Sequence, residues 1–334
     1  MFSNIPVPFP DECARGYMFR ISALHAKKNA YVTKLLPTLV RVTGLDLEQW
    51  IKKHTHIGYM RYVSTEFFGQ DISRHADVMT NTRVLSGGTP LSGARMCTEC
   101  IEDDVDRYGV SYWKRLHQLP GIDFCIRHEK GLSTFRTYVD IHNLPLRFFK
   151  DPTIDKVDIY ALLEREAYQR FLALSQIALN AVVPIATGSM GRAFTKRFNA
   201  LHSGSRTSLK ELLLCTFPHE WLERHFRIYA DTERVWPTID YFSKINHHIQ
   251  AIPYYLLVMA LLWDDPNEAV QACLQEEHSF DEVGARLALK DVLRGRSITW
   301  ACRMHKIEFR DFELALQEFF AEIRPAINVF KVAD

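Results

Sequence analysis

Apolar residues recur along most of this chain at the three-to-four-residue spacing of helices, not at the alternation of strands. Near the start, Pro10-Asp11-Glu12 is a helix-start signal that sets acidic groups where the N-terminal dipole favours them. Tyr17, Met18, Ile21, Leu24 and His25 then share one face. Pro37 interrupts the next apolar stretch, Gly44 ends another, and Leu47 to Lys53 predicts one more short helix. Short helices with tight connections fit either a helix-turn-helix-like bundle or an ordinary helical subdomain.

Ser86 to Gly93 is rich in turn residues and bare of charge, the clearest linker. From Asp155 onward the periodicity predicts helices over 156–181, 209–216, 220–229, 241–263 (broken or kinked at Pro253), 267–276, 281–293 and 309–322. No run alternates long enough to demand more than a small hairpin. The expected fold class is mainly α: a helical N-terminal subdomain with helix-turn-helix-like character over 1–85, a small zinc-ribbon-like hairpin module over 86–135, and an all-helical C-terminal domain over 136–334.

Composition narrows the function classes. Forty-one Lys+Arg against forty Asp+Glu leave a net charge of +1, so any contact with a polyanion must come from a local patch. Met1 to Pro8 lacks the regions of a signal peptide, and the longest apolar run, Ile252 to Trp263, stops at Asp264-Asp265, so a membrane span is not expected. Seven cysteines, three of them clustered with a histidine, suit a reducing cytoplasm and a metal better than a disulfide framework.

That cluster reads Cys97-x-x-Cys100, then Cys125-x-x-His128. Two such knuckles bring four ligands into tetrahedral reach of a d¹⁰ ion, and four protein ligands leave no position for water. The expectation is one structural zinc held by Cys97, Cys100, Cys125 and His128. Between the knuckles, Trp113, Leu116, Leu119 and Phe124 supply the apolar cluster a small hairpin needs, and Pro120-Gly121 marks a turn.

Here the sequence resembles the TniQ family of transposition target-selection proteins. The residues that carry the resemblance are Met96-Cys97-Thr98-Glu99-Cys100, Tyr112-Trp113-Lys114-Arg115, Gln118-Leu119-Pro120-Gly121 and Phe124-Cys125-Ile126-Arg127-His128 with Leu132. Pro6-Val7-Pro8-Phe9-Pro10-Asp11-Glu12, with Phe19-Arg20-Ile21 and Ala26-Lys27-Lys28-Asn29, resembles the family's opening turn and first helix. Thr98 stands where a proline is usual. The second cysteine-rich knuckle of some RNA-guided members is absent after Leu132.

The resemblance implies a non-enzymatic adaptor. It would link a Cascade-like CRISPR surveillance ribonucleoprotein to a TnsC-like AAA+ regulator and its transposase, as a head-to-tail homodimer. The chain ends at Asp334 without the extra DNA-reading region of longer site-specific members, which favours the RNA-guided role. The alternatives are an autonomous site-specific DNA-binding selector and, less favoured, a zinc-stabilised nuclease.

Other constellations carry less. His219 and His225 are six apart, about 240° around a helix at ~100° per residue, so they do not form a metalloprotease pair. Gly188-Ser189-Met190-Gly191-Arg192 lacks the Lys-Ser/Thr of a phosphate loop. Arg192, Lys196, Arg197, Arg206 and Lys210 lie in a stretch without acidic residues and read as a Gly/Ser-flanked loop. They are the candidate phosphate-backbone contacts, and neutralising the first three is expected to leave the fold intact. A second basic stretch, Lys290 to Arg310, contains a helix-turn-helix pattern near 297–320: Ser297 as cap, with Ala301, Ile307, Phe312 and Ala315 at apolar positions. Asp311, Glu313 and Glu318 would repel phosphate there, so a protein contact suits its second helix better.

Overall fold

The computed structural model describes residues 5–25, 43–45, 47–56, 94–135, 143–150, 154–156, 159–180, 187–202, 208–230, 252–275, 282–305, 307, 311–312 and 314–319. The linker at 86–93, Arg206, the stretch 231–251 and most of the expected helix-turn-helix-like N-terminal bundle lie outside them.

The first helix, α1 (Ala14–Leu24), starts later than Pro10-Asp11-Glu12 implied. Cys13 is the N-cap, and its Sγ accepts from the Gly16 amide at 3.3 Å. Asp11 instead has a left-handed backbone (φ 58°), and the buried Glu12 carboxylate accepts from Arg20 Nε at 2.9 Å and Nη2 at 2.6 Å. Both acidic residues have tertiary partners, which outweigh a helix-dipole contact. Tyr17, Met18 and Ile21 are buried as their spacing predicts, whereas Leu24 is exposed. A second helix, α2 (Leu47–His54), closes on this one: the Trp50 and Tyr17 rings meet edge-on at 5.5 Å.

Next come β1 (Arg95–Met96), α3 (Thr98–Tyr108), β2 (Phe124–Cys125), β3 (Lys130–Gly131), β4 (Ser133–Phe135) and β5 (Ile154–Lys156). Strands β1, β4 and β5 form one antiparallel sheet in that order, with Met96 opposite Ser133 and Phe135 opposite Ile154. Strands β2 and β3 are a separate hairpin. The helix expected over 156–181 is divided into β5, α4 (Tyr160–Leu163) and α5 (Glu166–Asn180). Gly188 to Lys196 is not a loop but part of α6 (Thr187–Leu201). Then follow α7 (Leu209–Thr216), opened by a Ser208–Glu211 capping box, and α8 (His219–Ala230), kinked at Phe226.

Helix α9 (Ile252–Leu262) is apolar all round and fully packed, with Pro253 in its first turn, where a missing N–H costs nothing. α10 (Pro266–Gln275), α11 (Glu282–Leu293) and α12 (Ile298–His305) complete the described helices. Ser297 caps α12 through the Trp300 amide at 3.2 Å. Ala301, Ile307, Phe312 and Ala315 share one apolar cluster with Ala285, Ala288 and Leu289.

The largest core runs without a break from Cys97, Cys100, Leu119, Ile122 and Cys125 into α5, α8 and α9. Each fully buried side chain in it, such as Phe171 or Leu222, contributes about 1.5–3 kcal/mol. Trp113 does not join Leu119 and Phe124 there. It packs with Cys13, Met96, Ile101, Phe135 and Phe148 in a second cluster beside α1. No helix among the described residues is long and apolar enough to cross a membrane.

Candidate metal centre

Cys97 and Cys100 are placed by the start of α3: Cys97 is its N-cap residue and Cys100 lies in its first turn. Gly109 ends the helix in a left-handed conformation (φ 72°) that a side chain would strain. Cys125 ends β2, and the turn to Lys130 passes through Glu129 at φ 51°, which swings His128 back over the sulfurs. The ligand atoms of the four residues all lie within 4.8 Å of one another.

Their spacing fits a tetrahedral ion. A metal–sulfur bond near 2.3 Å implies sulfur–sulfur edges of about 3.8 Å and slightly shorter sulfur–nitrogen edges. Cys100 Sγ lies 3.7 Å from Cys125 Sγ, and His128 Nδ1 lies 3.4, 3.3 and 3.7 Å from Cys97, Cys100 and Cys125. Mutual hydrogen bonding splits the buried thiols: contact with Cys125 pushes Cys100 up, and contact with Cys100 pulls Cys125 down to about 2. A divalent cation relieves that conflict by stabilising all three as thiolates.

With Nδ1 facing the sulfurs, His128 Nε2 donates to Asp103 Oδ2 at 3.1 Å, and Arg127 Nη2 holds the same oxygen at 2.6 Å. This carboxylate fixes the tautomer that leaves Nδ1 free to ligate. Lys130 pairs with Glu99 across the first knuckle. Four protein ligands would close the coordination sphere of an ion held here, the arrangement of structural rather than catalytic sites.

Two ionic clusters, the first buried and the second with its carboxylate exposed, tie the centre to the rest of the chain, and neither is evident from sequence. In the first, Asp123 Oδ2 accepts from His225 Nε2 at 2.8 Å and from Arg224 Nη1 at 3.3 Å, with Arg95 Nη1 3.7 Å from Oδ1. Burial opposes the charged Asp123 carboxylate, but His225, Arg95 and Arg224 outweigh it and hold the group at about 2. His225, which its spacing from His219 excludes from a metalloprotease pair, is thus a buried partner of Asp123 beside the hairpin. Arg95 also donates to the carbonyls of His117 at 2.9 Å and Leu119 at 2.8 Å. In the second cluster, Arg115 reaches Asp11 at 3.0 Å, Asn180 at 3.2 Å and the Thr55 carbonyl at 3.4 Å.

Gly121 inserts this loop between aromatic rings. At φ +81° it approaches Phe171 and Trp221 so closely that an added Cβ would lie 2.7 Å from the first and 3.0 Å from the second. The Asp123 amide donates to Tyr168 Oη at 3.1 Å.

The candidate nucleic-acid residues are not one open loop. Arg197 on α6 donates to the Leu262 carbonyl at 3.0 Å, stacks on Trp263 at 5.8 Å and faces Glu268 at 3.9 Å. Arg192 is half-buried and bonds Ser189. Lys196 is exposed, and Lys210 sits half-buried in the first turn of α7. Arg197 joins α6 to α9 and α10, which argues against the expectation that neutralising Arg192, Lys196 and Arg197 together spares the fold.

Residues 4–132 match the sequence model of the TniQ family. The match spans α1, α2 and all four metal-site residues, and ends where β4 begins. No curated protein matches the chain.

Proposed function

On the match of residues 4–132 to the TniQ family, we propose that this chain is a non-catalytic adaptor linking an RNA-guided, Cascade-like surveillance complex to a TnsC-like AAA+ regulator and its transposase. The family is one of transposition target-selection adaptors. The observation that carries the reading is the placement of the matched segment around a four-residue metal-site cluster, in which the turn before α1 and the segment 112–115 are joined by the Cys13 amide to the Trp113 carbonyl at 2.9 Å and the Arg115 amide to the Asp11 carbonyl at 2.8 Å. Such a centre presents a rigid surface and no reactive metal position. Zinc is the ion that this borderline-soft, three-sulfur and one-nitrogen set favours. The chain acts as a head-to-tail dimer in the cytoplasm, and its contact with nucleic acid is to phosphates, through Lys196 and Lys210.

Affinity-tagged chain expressed with a guide-loaded surveillance complex and the AAA+ ATPase tests this. Guide-dependent co-purification with the first, and separate association with the second, are expected, with no ATP turnover or DNA cutting by the chain alone. Turnover that vanishes on replacing a particular carboxylate would overturn the adaptor.

A second reading, autonomous site-specific DNA binding, draws support from the shared burial of Ala301, Ile307, Phe312 and Ala315, the positions a helix-turn-helix would need apolar. Tight, salt-resistant, sequence-selective binding of naked DNA would favour it over the RNA-guided role.

A further inference from the structure

Two residues before the first ligand of each knuckle stands a buried charge: Arg95 before Cys97 and Asp123 before Cys125. The two charges meet, with Arg95 Nη1 3.7 Å from Asp123 Oδ1. One side chain of α8 bridges them. His225 Nδ1 lies 3.4 Å from Arg95 Nη1, and His225 Nε2 lies 2.8 Å from Asp123 Oδ2. A guanidinium can only donate, so Nδ1 accepts from Arg95 and the ring proton sits on Nε2, which donates it to Asp123. The His225 side chain is only 1% exposed, so solvent cannot replace either contact.

The loop between the knuckles is held by the same residues. Arg95 grips the carbonyls of His117 and Leu119, and its backbone exchanges hydrogen bonds with the Gln118 side-chain amide at 3.0 and 2.7 Å. Two residues beyond Leu119, Gly121 enters between Phe171 of α5 and Trp221 of α8, and the Trp221 ring lies 5.8 Å from that of His225. The ligands and these helices belong to one apolar core, whereas Ala285, Ala288, Leu289, Ala301 and Cys302 of α11 and α12 form a cluster of their own.

We propose that His225 is a positioning residue for the metal centre, and that through it ion binding at the four ligands and the seating of α8 form one coupled equilibrium. None of Arg95, Asp123 and His225 is a ligand; they fix the two points of the backbone from which the knuckles project. An ion that holds the knuckles together keeps Arg95 and Asp123 where one imidazole reaches both. When the knuckles part, Asp123 is left buried without its donor, and α8 loses its polar anchor. The coupling is mutual, because a change that unseats α8 must weaken ion binding by the factor by which ion loss unseats α8. The inference rests on an ion being held by the four ligands and not on the adaptor role.

Two measurements on the full-length protein test it. In the first, zinc affinity is read by competition with a chromogenic chelator for the parent, His225→Leu and His225→Gln. Glutamine can set an N–H where the imidazole Nε2 stands, and leucine cannot. The leucine protein should bind zinc about tenfold or more weakly than the parent, and the glutamine protein within about threefold of it. In the second, hydrogen exchange of the parent is compared with zinc bound and after its removal by chelator. Protection should fall in α5 and α8 and persist in α11 and α12. This arm needs no variant, so it decides even where His225→Leu does not fold. Equal zinc affinity in all three proteins would overturn the proposal, as would a glutamine protein as weak as the leucine one. So would a parent that binds no zinc, unchanged protection in α8 on zinc removal, or protection lost from α11 and α12 as fully as from α8.

Discussion

At the scale of single residues, the metal ligands and the groups behind them separate cleanly. Cys125→Ser removes a ligand from the hairpin that also enters the main core. It should take metal content from one ion per chain to near zero and lower the unfolding free energy by several kcal/mol, read by elemental analysis and urea denaturation. Asp103→Ala leaves all four ligands in place but frees His128 Nε2. Competition with a chromogenic chelator should show metal affinity reduced about 10- to 100-fold, and unchanged affinity would refute the positioning role. Burial disfavours a charge on His117 and holds its pKa down at about 4, against the pull of Cys97. The unfolded chain therefore takes up the proton first, so stability is fully present above about pH 6.5 and declines as pH falls toward 4, by at most about 3 kcal/mol for this residue. A neutral His117→Asn protein should lose less stability over that interval than the parent, since acid acts on the metal ligands of both alike.

At the scale of elements, the turns and caps decide where the helices stop. Gly121→Ala should cost about 2 kcal/mol or more, because the left-handed backbone and the Phe171 and Trp221 rings both oppose a methyl group. Thermal unfolding monitored at Trp221 would report it. Ser297→Ala, which removes only a cap, should cost about 1 kcal/mol. Elements with strong end signals were legible from sequence: α7 has the expected bounds, α12 starts after the expected Ser297 cap, and α2, α8, α10 and α11 differ by a residue or so. Helix α3 was not legible, because Ile101 and Val105 are set among acidic residues and the segment reads as a spacer between knuckles. The stretch carrying Arg192, Lys196 and Arg197 looked like a loop for its Gly and Ser content, yet Met190, Ala193 and Phe194 are buried at helical spacing against α9 and α10. Tertiary packing there overrode a weak local propensity.

At the scale of the whole molecule, near-neutral charge predicts that the isolated chain binds DNA weakly, with an affinity that falls steeply between two salt concentrations in a gel-shift series. Lys196→Ala should flatten that slope with little effect on stability, whereas Arg197→Ala should destabilise the fold by freeing the Leu262 carbonyl and Glu268. Local patterns in the sequence already carried the Cys97, Cys100, Cys125 and His128 cluster, the likeness of residues 4–132 to the TniQ family, the mainly helical class and the buried positions of Ala301, Ile307, Phe312 and Ala315. Knuckle spacing and 3.6-residue periodicity are local patterns, repeated within a few residues, and a chain states them without reference to distant segments. The tertiary structure alone decided that the opening turn and the segment around Trp113 are one unit, joined across about a hundred residues by Arg115 and Asp11. It also decided that Trp113 packs beside α1, that Gly121 is driven between Phe171 and Trp221, and that Asp123 is held by His225 and Arg95. Each of these is a single, non-repeating contact between residues far apart in sequence, whose energy exists only once both segments are buried together, so no local pattern announces it.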